Sequence, residues 1–206
     1  MKGVLLISTG IDSPVAGYMM LKKGIEVVGV HFNSSEEDDT QVIEELAQRL
    51  GEVTSKDVTL YVVPNGGFHE QVGKNCNTRF HCILCKRFLY RVAEKIAQKG
   101  GCQFLITGES IGQVASQTLG NLRVLDASTT MPVIRPIIGF DKEDTIKIAK
   151  DIGTYELSSK VTGGCPYVPK KPATNSQEDT ILKEESKIEL EKLISEAVGE
   201  ARQING

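Results

Sequence analysis

At 206 residues, 40% of them hydrophobic and 25% charged, the chain is long enough for one α/β domain with a substantial core and too short for two comfortable ones. A formal charge of −3 gives no general polyanion-binding signal, and no apolar stretch is long enough to span a membrane or to act as a signal peptide, so the expected compartment is the cytoplasm. Five cysteines, an odd number, argue against a disulfide framework and toward metal or redox chemistry.

Val4 to Ile7 is a short apolar run that reads as a buried strand, and the polar turn Ser8-Thr9-Gly10-Ile11-Asp12-Ser13 follows it directly. Pro14 sits in the first turn of a helix that continues through Lys23 and stops at Gly24. A strand, a tight turn and a helix N-terminus leave backbone N–H groups facing the strand end with the positive end of the helix dipole behind them, so an anion is the natural guest. The turn has no lysine, which a Walker phosphate loop would require. It has Asp12 instead. Beside a triphosphate, a carboxylate suits a Mg²⁺ partner or a group poised at the reacting phosphate. The blander alternative is that Ser13 or Asp12 merely caps the helix.

Glu26 to Phe32 reads as a second buried strand, 33–39 as a polar loop, and Gln41 to Leu50 as a helix closed by Gly51. Leu60 to Pro64 is the third strand. Strands alternating with helices at this spacing predict a parallel sheet covered on both faces, with ligands beyond the carboxyl ends of the strands. His31 ends the second strand; a structural histidine is the commoner reading of such a position, and Phe32 and Asn33 lie where adenosine rests in such sheets. Residues 66–79 have weak periodicity and receive no assignment.

Cys82 and Cys85 open a helix that carries Phe88, Leu89, Val92, Ala93 and Ile96 on one face and ends at Lys99. At a helix N-terminus the dipole and nearby cations favour thiolates, which makes the pair reactive or metal-binding. Two thiols cannot close a tetrahedral site, so a metal there needs further ligands. Phe104 to Thr107 is the next strand, followed on the ligand edge by the Gly-, Ser-, Thr-, Gln- and Asn-rich stretch 108–122. Met131 to Pro136 is extended, and a helix with acids in its first turn runs from Asp141 to Ile152. Val161 to Pro169 is a Gly/Pro loop around Cys165, 170–176 is linker-like, and Ile181 to Val198 reads as one amphipathic helix that packs on the domain or in a homodimer.

Ser8 to Ala16 resembles the PP-loop of ATP pyrophosphatases, and Thr107 to Leu119 with Asn121-Leu122 is similar to the long signature of one branch, the tRNA 4-thiouridine synthetases tied also to thiamine biosynthesis. Lys86-Arg87, and Arg135-Pro136-Ile137-Ile138 ahead of Asp141-Lys142-Glu143, follow in the same order. Thr9 stands where the pattern usually has a second glycine. The resemblance covers residues 3 to about 170. It implies a Rossmann-like α/β domain over 1–175, a parallel sheet flanked by helices of the adenine nucleotide alpha hydrolase-like type, with the helix of 176–206 appended.

The same resemblance implies an ATP-dependent sulfurtransferase: a uracil C4 carbonyl oxygen of tRNA attacks the α-phosphate of ATP, pyrophosphate leaves, and sulfur displaces the adenylate. Ser8, Thr9, Gly10, Ile11, Asp12 and Ser13 would bind pyrophosphate, Asp12 would serve Mg²⁺ and the α-phosphate, and Lys86 would neutralise the departing charge. Thr107, Gly108 and Gln113, with His31 and Phe32, would line the nucleotide or base pocket. Cys165 falls where members that use a persulfide keep their catalytic cysteine. Cys82, Cys85 and Cys165 together resemble the ligands of members that hold an iron–sulfur cluster, with zinc or plain thiols as the alternatives. Cys76 is a possible fourth ligand and Cys102 a core residue. The family's ferredoxin-like, THUMP and rhodanese segments have no counterpart in the sequence, so tRNA is expected to come through a separate tRNA-binding protein and sulfur from an external donor. Two other readings stay open. One is a pyrophosphatase acting on a different acceptor, such as a small metabolite; the other is a nucleotide or iron–sulfur module of a larger complex.

Overall fold

The computed structural model describes residues 1–33, 39–161 and 165–204. Its elements are β1 (Lys2–Leu6), α1 (Asp12–Lys22), β2 (Glu26–Asn33), α2 (Thr40–Thr54), β3 (Thr59–Pro64), α3 (Gly66–Asn75), α4 (His81–Lys99), β4 (Phe104–Ile106), α5 (Leu119–Asp126), β5 (Val133–Ile134), α6 (Lys142–Asp151), α7 (Tyr155–Ser158), α8 (Glu178–Glu185), α9 (Leu190–Glu200) and β6 (Arg202–Ile204). The strands form one sheet in the order β5-β4-β1-β2-β3-β6. Five are parallel, and β6 runs antiparallel to β3, pairing Leu60 with Ile204 and Val62 with Arg202.

Period-2 alternation divides the core into two layers. Val4, Val28, Val30, Phe32 and Leu105 face α4, α5, α8 and α9, while Leu5, Ile7, Val27, Phe104 and Ile106 face α1, α2 and α6. The chain leaves β1 toward β2 and β3, then returns to place β4 on the other side of β1. The strand order therefore reverses between β1 and β4, and a crevice opens there at the carboxyl ends of both strands, where ligands bind in open α/β sheets.

Four expectations change. The sheet is mixed, because β6 covers the β3 edge. Helix α2 runs through Gly51 to Thr54; a Cβ on Gly51 would lie 2.9 Å from the Lys56 carbonyl oxygen, so this glycine serves close packing rather than termination. The segment expected as one helix over 181–198 is two, α8 and α9, separated by a turn in which Lys187 N–H donates to the Glu184 carbonyl and Ile188 N–H to that of Glu185. Finally, 170–176 is no free linker: Asn121 donates to the Ala173 carbonyl at 2.9 Å and accepts from Ser176 N–H at 2.9 Å, and Thr118 donates to the Thr174 carbonyl at 2.6 Å. Asn121 on α5 and the neighbouring Thr118 hold that segment to the body.

Candidate active site

The turn after β1 is built by its two serines. Ser13 Oγ accepts the Ser8 N–H at 2.9 Å, lies 3.1 Å from Ser8 Oγ and donates to the Ser8 carbonyl at 3.2 Å. No side chain caps α1. The hydroxyl that would have capped the helix spans the loop instead, so the capping alternative is set aside. Ser8 and Gly10 are exposed, Thr9, Ile11 and Asp12 half-buried and Ser13 buried, so the loop presents its backbone at the crevice. From below, buried His31 donates through Nδ1 to the Ile7 carbonyl at 3.2 Å, and its Nε2 lies 2.9 Å from Asp39. His31 thus braces the strand end under the loop, and the adjacent Phe32 is in the core.

Gly108, just past β4, comes against this loop. A Cβ there would stand 2.5 Å from Ser13 N and 2.6 Å from the Asp12 carbonyl carbon, both backbone atoms. Only glycine lets the two strand ends approach so closely. The turn 8–13 and the stretch 108–122 are consequently walls of one crevice.

Asp12 does not stand alone: Lys142, at the start of α6, brings Nζ to 2.7 Å from Asp12 Oδ1. On the opposite wall, Lys86 Nζ is 2.7 Å from Glu109 Oε1. The other Glu109 oxygen accepts from Tyr90 OH at 2.7 Å, Arg135 Nε at 2.8 Å and Thr107 Oγ1 at 3.2 Å. Lys86 and Tyr90 are four residues apart on α4 and so share a face. Arg135 reaches on to Asp126 at 2.5 Å. Burial alone would raise the Glu109 carboxyl, but the charges of Lys86 and Arg135 and the donated hydrogen bonds outweigh it and hold it at about 2. Glu109 is therefore an anion that fixes two cations and a phenol at the crevice. Thr107 is turned toward Glu109, while Gln113 lies half-exposed further along the same stretch.

Cys82 and Cys85 occupy the first turns of α4, as expected, but not as stabilised thiolates. Burial and then the nearby Cys165 raise both thiols, Cys85 to about 12, and the opposing influence of Lys86 is smaller. Cys165 thus lies within electrostatic reach of the pair, on an exposed turn. Among the described residues no group of three or more His, Cys, Asp or Glu side chains is disposed to hold a metal ion. The three thiols match a thiophilic centre in chemistry, yet they are not preassembled as its ligands. Cys76 points elsewhere and donates to the Glu184 carbonyl at 3.4 Å; Cys102 is in the core.

Lys142, Glu109 and Tyr90 carry much of this geometry and were not singled out from sequence. Glu109 had a usable signal, a carboxylate immediately after a buried strand on the ligand edge. Lys142 stood within the family-like run Asp141-Lys142-Glu143 but was given no role, and Tyr90 read as an ordinary core residue of its helix.

The model of the family described as "Thiamine biosynthesis protein (ThiI)" matches residues 1–190. A relative from Thermoanaerobacter pseudethanolicus, named probable tRNA sulfurtransferase, is 41% identical over 95% of this chain and 52% of its own. Another of that name, from Methanosarcina mazei, is 36% identical over 98% of this chain and 51% of its own. The chain spans about half the length of the curated relatives it matches. A crystal structure of a 4-thiouridine synthetase–RNA complex with bound ATP superposes at a TM-score of 0.94 and 38% identity, over 98% of this chain and 54% of that one.

Proposed function

The chain belongs to the thiamine biosynthesis protein (ThiI) family, and from that membership we propose that it is the ATP-pyrophosphatase domain of a tRNA-thiolating enzyme. In this reading it adenylates a uracil C4 carbonyl of tRNA, releases pyrophosphate and passes sulfur to the activated carbon. The observation that carries the reading is the contact of Gly108 with the Asp12–Ser13 backbone, which joins the phosphate loop and the 108–122 stretch into one crevice. The similarity to an ATP-bound 4-thiouridine synthetase supports ATP and tRNA as the substrates.

An amide-like carbonyl is a poor leaving group, and adenylation makes it a good one. The N–H groups of the 8–13 turn and the N-terminus of α1 would take the β- and γ-phosphates. Lys86, held by Glu109, would face the charge that develops as pyrophosphate separates, in a site already organised by ion pairs. Mg²⁺, when bound, would supply charge neutralisation on the triphosphate, and Asp12 would be the carboxylate that holds it, with Lys142 released to the phosphates. Thr107, Gly108 and Gln113 would border the base, with His31 and Phe32 behind the adenosine side.

Cys165 is the group we assign to sulfur transfer. An iron–sulfur or zinc centre, if bound, would take Cys82, Cys85 and Cys165, and it would supply a thiophilic site for the incoming sulfur. An external sulfur donor, a separate tRNA-binding protein, a homodimer and a cytoplasmic location complete the proposal. No helix among the described residues is long and apolar enough to cross a membrane. The test is sulfur incorporation into unmodified tRNA with ATP and sulfide. Thiolated uridine with stoichiometric AMP and pyrophosphate is expected, and AMP formation that responds to a small metabolite but never to tRNA would replace the acceptor.

A further inference from the structure

Cys165 lies on an exposed turn, where a thiol on a loose loop would meet Cys82 and Cys85 only occasionally. The residues that follow it are anchored. Val168 N–H donates to the Cys165 carbonyl at 3.3 Å and closes a turn that carries both Cys165 and Tyr167. The Tyr167 ring stacks on His69 with centroids 3.8 Å apart and planes 6° from parallel, and it lies parallel within 4° to His81 with centroids 5.5 Å apart.

The platform beneath the ring is rigid. His69 and His81 are 2% and 5% exposed. His69 Nδ1 lies 2.8 Å from His81 Nε2, and Asn65 Nδ2 lies 3.0 Å from His69 Nε2. Each imidazole is fixed by a neighbour, and Phe68 packs edge-on against His69 with centroids 5.7 Å apart. The platform also adjoins the cysteine pair: His81 immediately precedes Cys82, and Asn65 Nδ2 is 3.9 Å from Cys85 Sγ. One buried cluster therefore touches the Cys82–Cys85 helix on one side and the Cys165 turn on the other.

We propose that Tyr167 is a positioning residue, stacked on the His69–His81 pair to hold the Cys165 thiol beside Cys82 and Cys85. The stack acts as a clasp that keeps the local concentration of the third thiol high. The inference takes from the proposed function only the use of Cys165 in sulfur chemistry; the clasp itself stands on ring geometry.

A bis-electrophile tests it without ATP or tRNA. Dibromobimane joins two neighbouring thiolates, forming two carbon–sulfur bonds and releasing two bromides, with the thiol protons passing to buffer. Tryptic mapping then follows the product that links peptide 161–170 to peptide 80–86. Tyr167→Phe keeps the ring and should link at the parent rate within about twofold, while Tyr167→Leu, which has no ring to stack, should link roughly tenfold more slowly. Cys102, 7% exposed, reports folding, since it stays unlabelled in intact protein. Equal rates in Tyr167→Leu and the parent, with Cys102 still protected, would overturn the clasp; so would a Phe variant as slow as the Leu variant. In the thiolation assay Tyr167→Leu, but not Tyr167→Phe, should lower sulfur incorporation with the KM for ATP unchanged. If the parent does not thiolate tRNA at all, the functional reading fails while the cross-linking order still decides the clasp.

Discussion

Glu109 shows how much of the crevice depends on one side chain. It receives Lys86, Arg135, Tyr90 and Thr107, and its own side chain is 6% exposed. Replacing it with glutamine leaves Lys86 without its counter-charge and Arg135 with Asp126 alone, so Glu109→Gln should lower unfolding free energy by about 3 kcal/mol. It should also reduce pyrophosphate release through the misplaced Lys86, and equilibrium urea denaturation beside a turnover assay measures both. The acid response carries a defined sign. The folded carboxyl titrates at about 2, below the ordinary 4.5, so its contribution is complete above pH 4.5 and disappears as pH falls toward 2. The parent's urea midpoint should fall in that window, and the drop should be shallower in Glu109→Gln. Gly108 is the second residue-scale test. A methyl group there meets backbone 2.5 Å away, so Gly108→Ala should weaken ATP binding, by up to about a hundredfold, as titration calorimetry would read. The sequence made the phosphate turn legible through its strand–turn–helix order. It did not reveal that Ser13 bonds across the turn rather than capping α1, because both uses place a serine at the same position.

At the scale of elements, α4 organises the molecule. Its first turns carry Cys82 and Cys85, the next carries Lys86 and Tyr90, and Arg87 and Arg91 grip the C-terminal segment. Arg87 and Arg91 both pair with Glu185 of α8, at 2.7 and 2.6 Å, and Arg87 also donates to the Val124 carbonyl of α5. Arg87 is 1% exposed. Glu185→Ala would strand that guanidinium and should cost about 3–5 kcal/mol, read as a fall in the urea midpoint. The long helices were legible because their apolar residues repeat at 3.6, and the central strands because they are short apolar runs bounded by polar or small residues. The end of the chain was not. Its helix breaks where Glu184 and Glu185 are drawn to Asn77, Arg87 and Arg91, partners about a hundred residues away. Strand β6 is three residues, Arg202, Gln203 and Ile204, with no periodic pattern to announce it. Its partner β3 would be an open edge without it, so deleting 202–206, which leaves α9 in place, should produce aggregation visible by light scattering.

For the molecule as a whole, the reversal of strand order between β1 and β4 gathers residues from positions 8 to 142 into one crevice. Walls that meet at backbone contact, an acid on one side and an ion-paired lysine on the other are the features that the proposed splitting of a triphosphate would use. Which bond is cleaved distinguishes this account from an ordinary nucleotide-binding domain. The direct measurement is product analysis from α-³²P-labelled ATP, with unmodified tRNA and sulfide, for the parent chain and for Asp12→Asn. A separately expressed tRNA-binding protein is present in one arm. AMP and pyrophosphate formed in step with thiolated uridine, with release at least a hundredfold slower in Asp12→Asn at an unchanged unfolding midpoint, is the result predicted here. ADP and phosphate as the products, or full activity in Asp12→Asn, would contradict it.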